Sequence, residues 1–309
     1  MKKLLPVLLA LVLGLAGCGI AGSSDADPAA THVVATTYPV YLFASAVTSG
    51  IEGYYTEPMI DQPVSCLHDY TLTVRDMRIL EGADVIVMNG AGLKEAMENA
   101  LDSVADTPVI DCSRGIELLE GEAHHHEEEG DHEEHEEGDP HIWMDPALAC
   151  VMIESIADGL SAQDPANAER FSANAQAAKE RILTACEDLK VQLADLPCRE
   201  LITFHDGFQY FARAFDLTIL RAIEEEAGSE ASAREVSAIV ADIVSHDLPA
   251  VFTEINGSSA TAEMIARECG VKVAALDLIM SRDQRNLTGI DDYLARLTEN
   301  VNTIREAYT

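Results

Sequence analysis

Three histidines stand in contexts that can order an imidazole. They are His68 in Ser65-Cys66-Leu67-His68-Asp69-Tyr70, His141 in Asp139-Pro140-His141-Ile142-Trp143-Met144-Asp145-Pro146, and His205 in Thr203-Phe204-His205-Asp206-Gly207-Phe208. A neutral imidazole offers a lone pair that suits zinc, copper or nickel. His141 falls just before a helix predicted from Asp145 as its cap and Pro146 at its first position. His205 closely follows a predicted strand over 201–204, and Asp277 follows one over 271–276. Side chains at the carboxyl ends of strands in open α/β sheets converge on the crevice where ligands bind. Two of these four residues come from each half of the chain, so a cleft between two lobes is where they can meet.

A second concentration of ligating groups lies between them. Residues 122–139 hold ten carboxylates, five histidines (His124, His125, His126, His132 and His135) and no Lys or Arg. Such a run has no apolar face to order it and reads as a mobile loop. Half of the chain's ten histidines gather there, which points to weak, exchangeable metal capture. A rigid high-affinity site is excluded for it, because ordering the chain costs about 1–2 kcal/mol per residue.

Composition restricts the partners. The 309 residues carry 54 Asp and Glu against 20 Lys and Arg, a formal charge of −34. Nucleic acid is excluded as a partner, since phosphate binding needs clustered Lys and Arg; cations fit better. The N-terminus is a processing signal: Lys2 and Lys3, an apolar stretch from Leu4 to Ala16, then Gly17-Cys18. Thirteen residues are too few to span a bilayer, which takes about 20, and the small residues before a cysteine resemble a bacterial lipobox. Residues 1–17 are thus expected to be a lipoprotein signal peptide, with Cys18 lipidated and 18–31 a flexible tether to the membrane. Removing the leader brings the formal charge to about −36. Six further cysteines are scattered with no C-x-x-C pair, which excludes a zinc ribbon. Cys150, Cys186 and Cys269 fall on apolar helix faces as free thiols, and no disulfide pair is assigned.

The positioning elements are short β-branched runs alternating with helical patterns. In the first half these are 32–36, 85–88 and 108–110; in the second, 201–204, 217–220, 250–253 and 271–276. The alternation predicts an α/β fold with mainly parallel sheets covered by helices, one set in each half. Between the halves, Phe171, Ala175, Ala178, Ile182, Cys186, Leu189, Leu193 and Leu196 step by threes and fours with no Gly or Pro until Pro197. That predicts one long helix from 165 to 195, about 45 Å at 1.5 Å per residue. The expected division is an N-terminal lobe 32–163, a linking helix 164–196 and a C-terminal lobe 197–309.

From about His32 to Tyr308 the chain resembles the metal-binding lipoproteins of bacterial ABC importers, in particular the zinc-type branch of those solute-binding proteins. The matching residues are Asp139 to Pro146, Phe204-His205-Asp206-Gly207-Phe208 with Tyr210, Val251-Phe252-Thr253-Glu254, and Leu276-Asp277; the acidic, His-rich insertion before His141 is also a feature of that branch. The resemblance implies two (β/α) lobes joined by a rigid backbone helix and one Zn²⁺ held in the cleft between them. The metal is then delivered to a membrane permease with its cytoplasmic ATPase. It implies His68, His141 and His205 as imidazole ligands. Asp277 is then a fourth ligand or the neighbour of a bound water. Manganese-type relatives carry Glu where this chain has His205, and three imidazoles favour zinc over the harder manganese. The sequence departs from the family after His68, where Asp69-Tyr70-Thr71-Leu72 replaces the usual Tyr-Glu-Pro-Thr-Pro-like run, leaving the geometry of that loop open. Asp69, Asp206 and Glu254 are candidates to orient imidazoles; His32 and His246 read as non-ligands.

The implied protein catalyses no reaction, and sits lipid-anchored outside the cytoplasmic membrane. Rival readings are a manganese or iron receptor, a surface adhesin or zinc buffer using the loop, and a secreted zinc hydrolase. The hydrolase lacks an H-E-x-x-H motif or another placed general base.

Overall fold

The computed structural model describes residues 29–62, 70–92, 97, 100–119, 138–223, 231–283 and 285–309. The leader, Cys18, His68 and the five loop histidines lie outside the described residues.

The N-terminal lobe is built on four parallel strands, β1 (Thr31–Ala35), β2 (Tyr54–Pro58), β3 (Val85–Met88) and β4 (Val109–Asp111), in the order β2-β1-β3-β4. The β3 residues Val-Ile-Val-Met are all buried, as an inner strand covered on both faces requires. β2 went unread in the sequence for the opposite reason. It is an edge strand, largely half-buried, with the composition Tyr-Tyr-Thr-Glu-Pro, so it shows neither an apolar run nor a clean alternation. Helix α1 (Tyr38–Thr48) leaves β1 through Thr37, whose hydroxyl accepts from the Val40 amide, and it is buried along most of its length. Helix α2 (Val74–Glu81) opens with a reciprocal capping box between Thr73 and Asp76.

After a short 3₁₀ turn over Ile142–Met144, α3 (Pro146–Gln163) begins where the Asp145 carboxylate accepts from the Ala147 amide. α3 approaches the sheet so closely that a β-carbon on Gly159 would stand 2.7 Å from the Ile110 side chain. Asp164 then makes the corner, accepting from the Ala166 amide, the Asn167 side chain and the Tyr54 hydroxyl.

The long helix α4 runs without interruption over Ala168–Leu193, about 39 Å. Its buried residues are Phe171, Ala175, Ala178, Ile182, Cys186, Leu189 and Leu193, the apolar stripe of the sequence. Leu196 lies past its end, partly buried against the same core. The helix grips the N-terminal lobe through Asn174, which donates to the Val47 and Ser49 carbonyls. An edge-on contact of Phe171 with Tyr54 adds to that grip.

The C-terminal lobe has two parallel pairs, β5 (Glu200–Thr203) with β6 (Thr218–Ala222) and β7 (Ala250–Glu254) with β8 (Lys272–Leu276). Helices α5 (Gln209–Ala214), α6 (Ala233–Ser245) and α7 (Ala260–Cys269) accompany them. The last helix, α8 (Gly289–Tyr308), returns across to the N-terminal lobe. There Tyr293 packs edge-on to Phe43 and donates to the Trp143 carbonyl, and the Tyr38 hydroxyl donates to Asp292. The main hydrophobic core is therefore continuous from the first sheet through α4 and α8 into the second lobe; a smaller one, around Ile202, Ile239 and Val251, is confined to the C-terminal lobe. A shared core of this kind resists wide opening of the lobes. Among the described residues Cys112, Cys150, Cys186, Cys198 and Cys269 are free thiols, and no helix is long and apolar enough to cross a membrane.

Candidate metal centre

His141 and His205 face one another between the lobes, with ring centroids 5.5 Å apart and planes at 62°. Each is 4% exposed. His141 sits on the irregular segment ahead of the 3₁₀ turn, and that segment is fastened from several sides. The Asn89 side chain donates to the Pro140 carbonyl, the Tyr210 hydroxyl to the Asp139 carbonyl, and Trp143 Nε1 to the Leu278 carbonyl. His205 comes two residues after β5, where the Thr203 hydroxyl donates to its carbonyl.

Both imidazoles are held the same way. His141 Nδ1 lies 2.7 Å from Asp139 Oδ1, which also accepts from the His141 amide at 2.9 Å. His205 Nδ1 contacts Glu254 Oε1 at the end of β7. A carboxylate accepts, so each ring donates from Nδ1 and carries its lone pair on Nε2 when neutral. This is the arrangement that orients metal-ligating histidines. Two carboxylates stand beside the two rings, all four side chains buried, an arrangement that suits a divalent cation. Next to His205, Gly207 leaves space: a β-carbon there would stand 2.9 Å from His205 Nε2 and from Leu278 Cδ1.

Asp277 follows β8 directly and is 4% exposed. Both of its oxygens are engaged, Oδ1 by the Ile279 amide at 2.7 Å and Oδ2 by Arg296 Nη1 at 2.8 Å. Burial raises its pKa above the usual carboxylate range, and the Arg296 charge acts in the opposite sense. Of the four residues singled out in the sequence, the structure brings His141 and His205 together; Asp277 precedes Leu278, whose side chain borders Gly207 as His205 Nε2 does. His68 lies outside the described residues. Among the described residues no three His, Cys, Asp or Glu side chains form a metal-ligating group by themselves.

Asp139 had no role assigned from sequence, although it stands two residues before His141. Glu254, one of three candidates to orient an imidazole, meets His205; Asp69 lies outside the described residues. Asp206 is engaged by the Gln209 side chain. His32 pairs with Glu57 and His246 with Glu200, both away from the cleft histidines.

Two lobes of parallel β/α structure, a long helix packed between them and a pair of carboxylate-held histidines in the cleft make up the candidate site and its frame. The chain belongs to the ZnuA family, described as zinc-uptake complex component A, periplasmic, whose model matches residues 33–307. It is similar to the zinc-binding protein AdcA of Streptococcus pyogenes serotype M3, with 29% identity over 293 residues, covering 88% of this chain and 55% of the relative. The chain thus spans about half the length of that curated relative. It is also similar to the manganese-binding lipoprotein MntA of Halalkalibacterium halodurans, with 24% identity over 304 residues covering 96% of this chain and 95% of MntA. Among solved structures, a crystal structure of ZnuA superposes with a TM-score of 0.77 at 26% identity, covering 91% of this chain and all of that one.

Proposed function

We propose that this protein is an extracytoplasmic receptor that captures Zn²⁺ in its interlobe cleft and delivers it to the permease of an ABC importer, without catalysing a reaction. The observation that carries the reading is the pair of buried imidazoles, each held at Nδ1 by its own carboxylate, meeting between the lobes. Family membership and the similarity to a protein named zinc-binding support it. In this reading His141, His205 and His68 are the imidazole ligands, and Asp277 is the nearby carboxylate. The acidic segment with His124, His125, His126, His132 and His135 is an auxiliary collector, and Cys18 carries the lipid that tethers the receptor outside the cytoplasmic membrane. Neutral imidazoles favour zinc over manganese, the metal in the name of MntA. The continuous core implies that release follows a small distortion imposed by the permease rather than a wide hinge motion.

The test is a chelator-competed titration with zinc and with manganese, in the presence and absence of residues 122–138. One tight zinc equivalent should survive the deletion and disappear in His141→Ala and in His205→Ala. Tight binding that vanishes with the segment instead would make the protein a tethered metal buffer. Protons compete with metal for imidazole, so zinc affinity should fall below about pH 6.5. A flat affinity down to pH 5 would count against histidine ligation.

A further inference from the structure

We infer that Arg296 sets the metal preference of the cleft by holding the Asp277 carboxylate away from the metal, so that the site binds through imidazoles. The inference rests on the zinc-receptor reading above and deepens it.

Arg296 is a tightly fixed cation beside Asp277. It lies on α8, is 2% exposed, and its guanidinium spans two carboxylates: Nη1 to Asp277 Oδ2 at 2.8 Å and Nε to Asp292 Oδ2 at 3.0 Å. Asp292 Oδ2 also accepts from the Tyr38 hydroxyl at 2.8 Å, and the guanidinium lies 5.3 Å from the centre of the Tyr38 ring. Asp283 approaches Nη2 at 3.6 Å. The Asp277 end is equally fixed. Asn300 accepts from its amide and donates to its carbonyl, both at 2.8 Å, while the Ile279 amide occupies Oδ1. Arg285 stands 3.8 Å from Oδ2. Neither partner can swing away without stripping a buried charge of its hydrogen bonds.

Asp277 directly precedes a residue that borders the histidine pair. Leu278, the next residue, accepts from Trp143 Nε1 and reaches the space beside His205 Nε2. A carboxylate whose charge is already shared with a buried guanidinium is a poor donor to a second cation. Binding a metal through Oδ2 would bring two positive groups onto one oxygen in a low-dielectric setting. The loss falls hardest on manganese, which depends on oxygen ligands, and least on zinc, which imidazoles satisfy. Arg296 is in this sense a specificity-determining residue that touches no metal.

Two measurements test it. In a crystal structure of the zinc-loaded native protein, Asp277 should remain on Arg296, and an Asp277 oxygen at about 2.0–2.2 Å from zinc would overturn the inference. In competition titrations, Arg296→Gln should raise manganese affinity relative to zinc by about tenfold or more, the low end of what outer partners of metal ligands usually contribute. Adding Asp277→Asn to that variant should remove the gain. An unchanged ratio in a folded Arg296→Gln protein would also overturn it. If that variant does not fold, the zinc-loaded structure decides alone. Failure of the underlying reading looks different: zinc would then remain tightly bound in His141→Ala and His205→Ala.

Discussion

Replacing Asp139 by alanine tests whether the site works through carboxylate-held imidazoles. The substitution removes the acceptor of two buried donors, the His141 amide at 2.9 Å and His141 Nδ1 at 2.7 Å. It leaves the backbone carbonyl that receives the Tyr210 hydroxyl. Each donor left unpaired costs about 1–3 kcal/mol of stability, and each kcal/mol lowers Tm by roughly 2–4 °C in a chain of this order of size. The amide's loss is the same with and without metal. The ring's loss is greater with metal, because coordination at Nε2 makes the Nδ1 proton more acidic and its bond to the carboxylate stronger. Zinc affinity should therefore fall about 10–100-fold, or about 1.4–2.8 kcal/mol. Asp139→Asn keeps an acceptor and loses only the charge, so its loss should be smaller. The assay is zinc competition against a chromophoric chelator, paired with thermal unfolding of the metal-free protein. A zinc affinity within threefold of native in Asp139→Ala, together with a lowered Tm, would refute the reasoning and reduce Asp139 to a structural partner.

Two further outcomes concern the frame around the site. Ile182→Ala empties a fully buried position midway along α4 and should cost about 2–5 kcal/mol in urea unfolding; a cost under 1 kcal/mol would mean that the helix is not packed along its whole stripe. On α6, Glu235 closes a capping box with Ser232, whose amide donates to the carboxylate and lowers its pKa. A depressed carboxylate pKa stabilises the fold above the unfolded value of about 4.3, and that contribution is lost as pH falls through the lower folded value. Glu235→Ala should cost about 0.5–1.5 kcal/mol near neutrality and flatten this acid limb, as followed by unfolding between pH 6 and 3; an acid limb as steep as the native one would exclude the Glu235 carboxylate as its source.

Elements whose signal is local were legible in the residue order. The apolar stripe of α4, the Asp145-Pro146 start of α3 and the buried Val-Ile-Val-Met of β3 each declare themselves within a few residues, because helix and strand periods repeat over that distance. β2 did not, since an edge strand satisfies its backbone on one side only and need not be apolar. His141 and His205 were likewise recognisable from their surroundings. The choice of partner for each was decided by the tertiary fold. Glu254 meets His205 because β7 ends beside the turn after β5, and Arg296 meets Asp277 because α8 doubles back against β8 and reaches Tyr38 in the other lobe. Those pairings join residues far apart in the chain, and only packing brings them within hydrogen-bond reach. The candidate residue types were therefore written in the sequence, while the orientation of each imidazole and the engagement of Asp277 came from the way the two lobes and their common core close on one another.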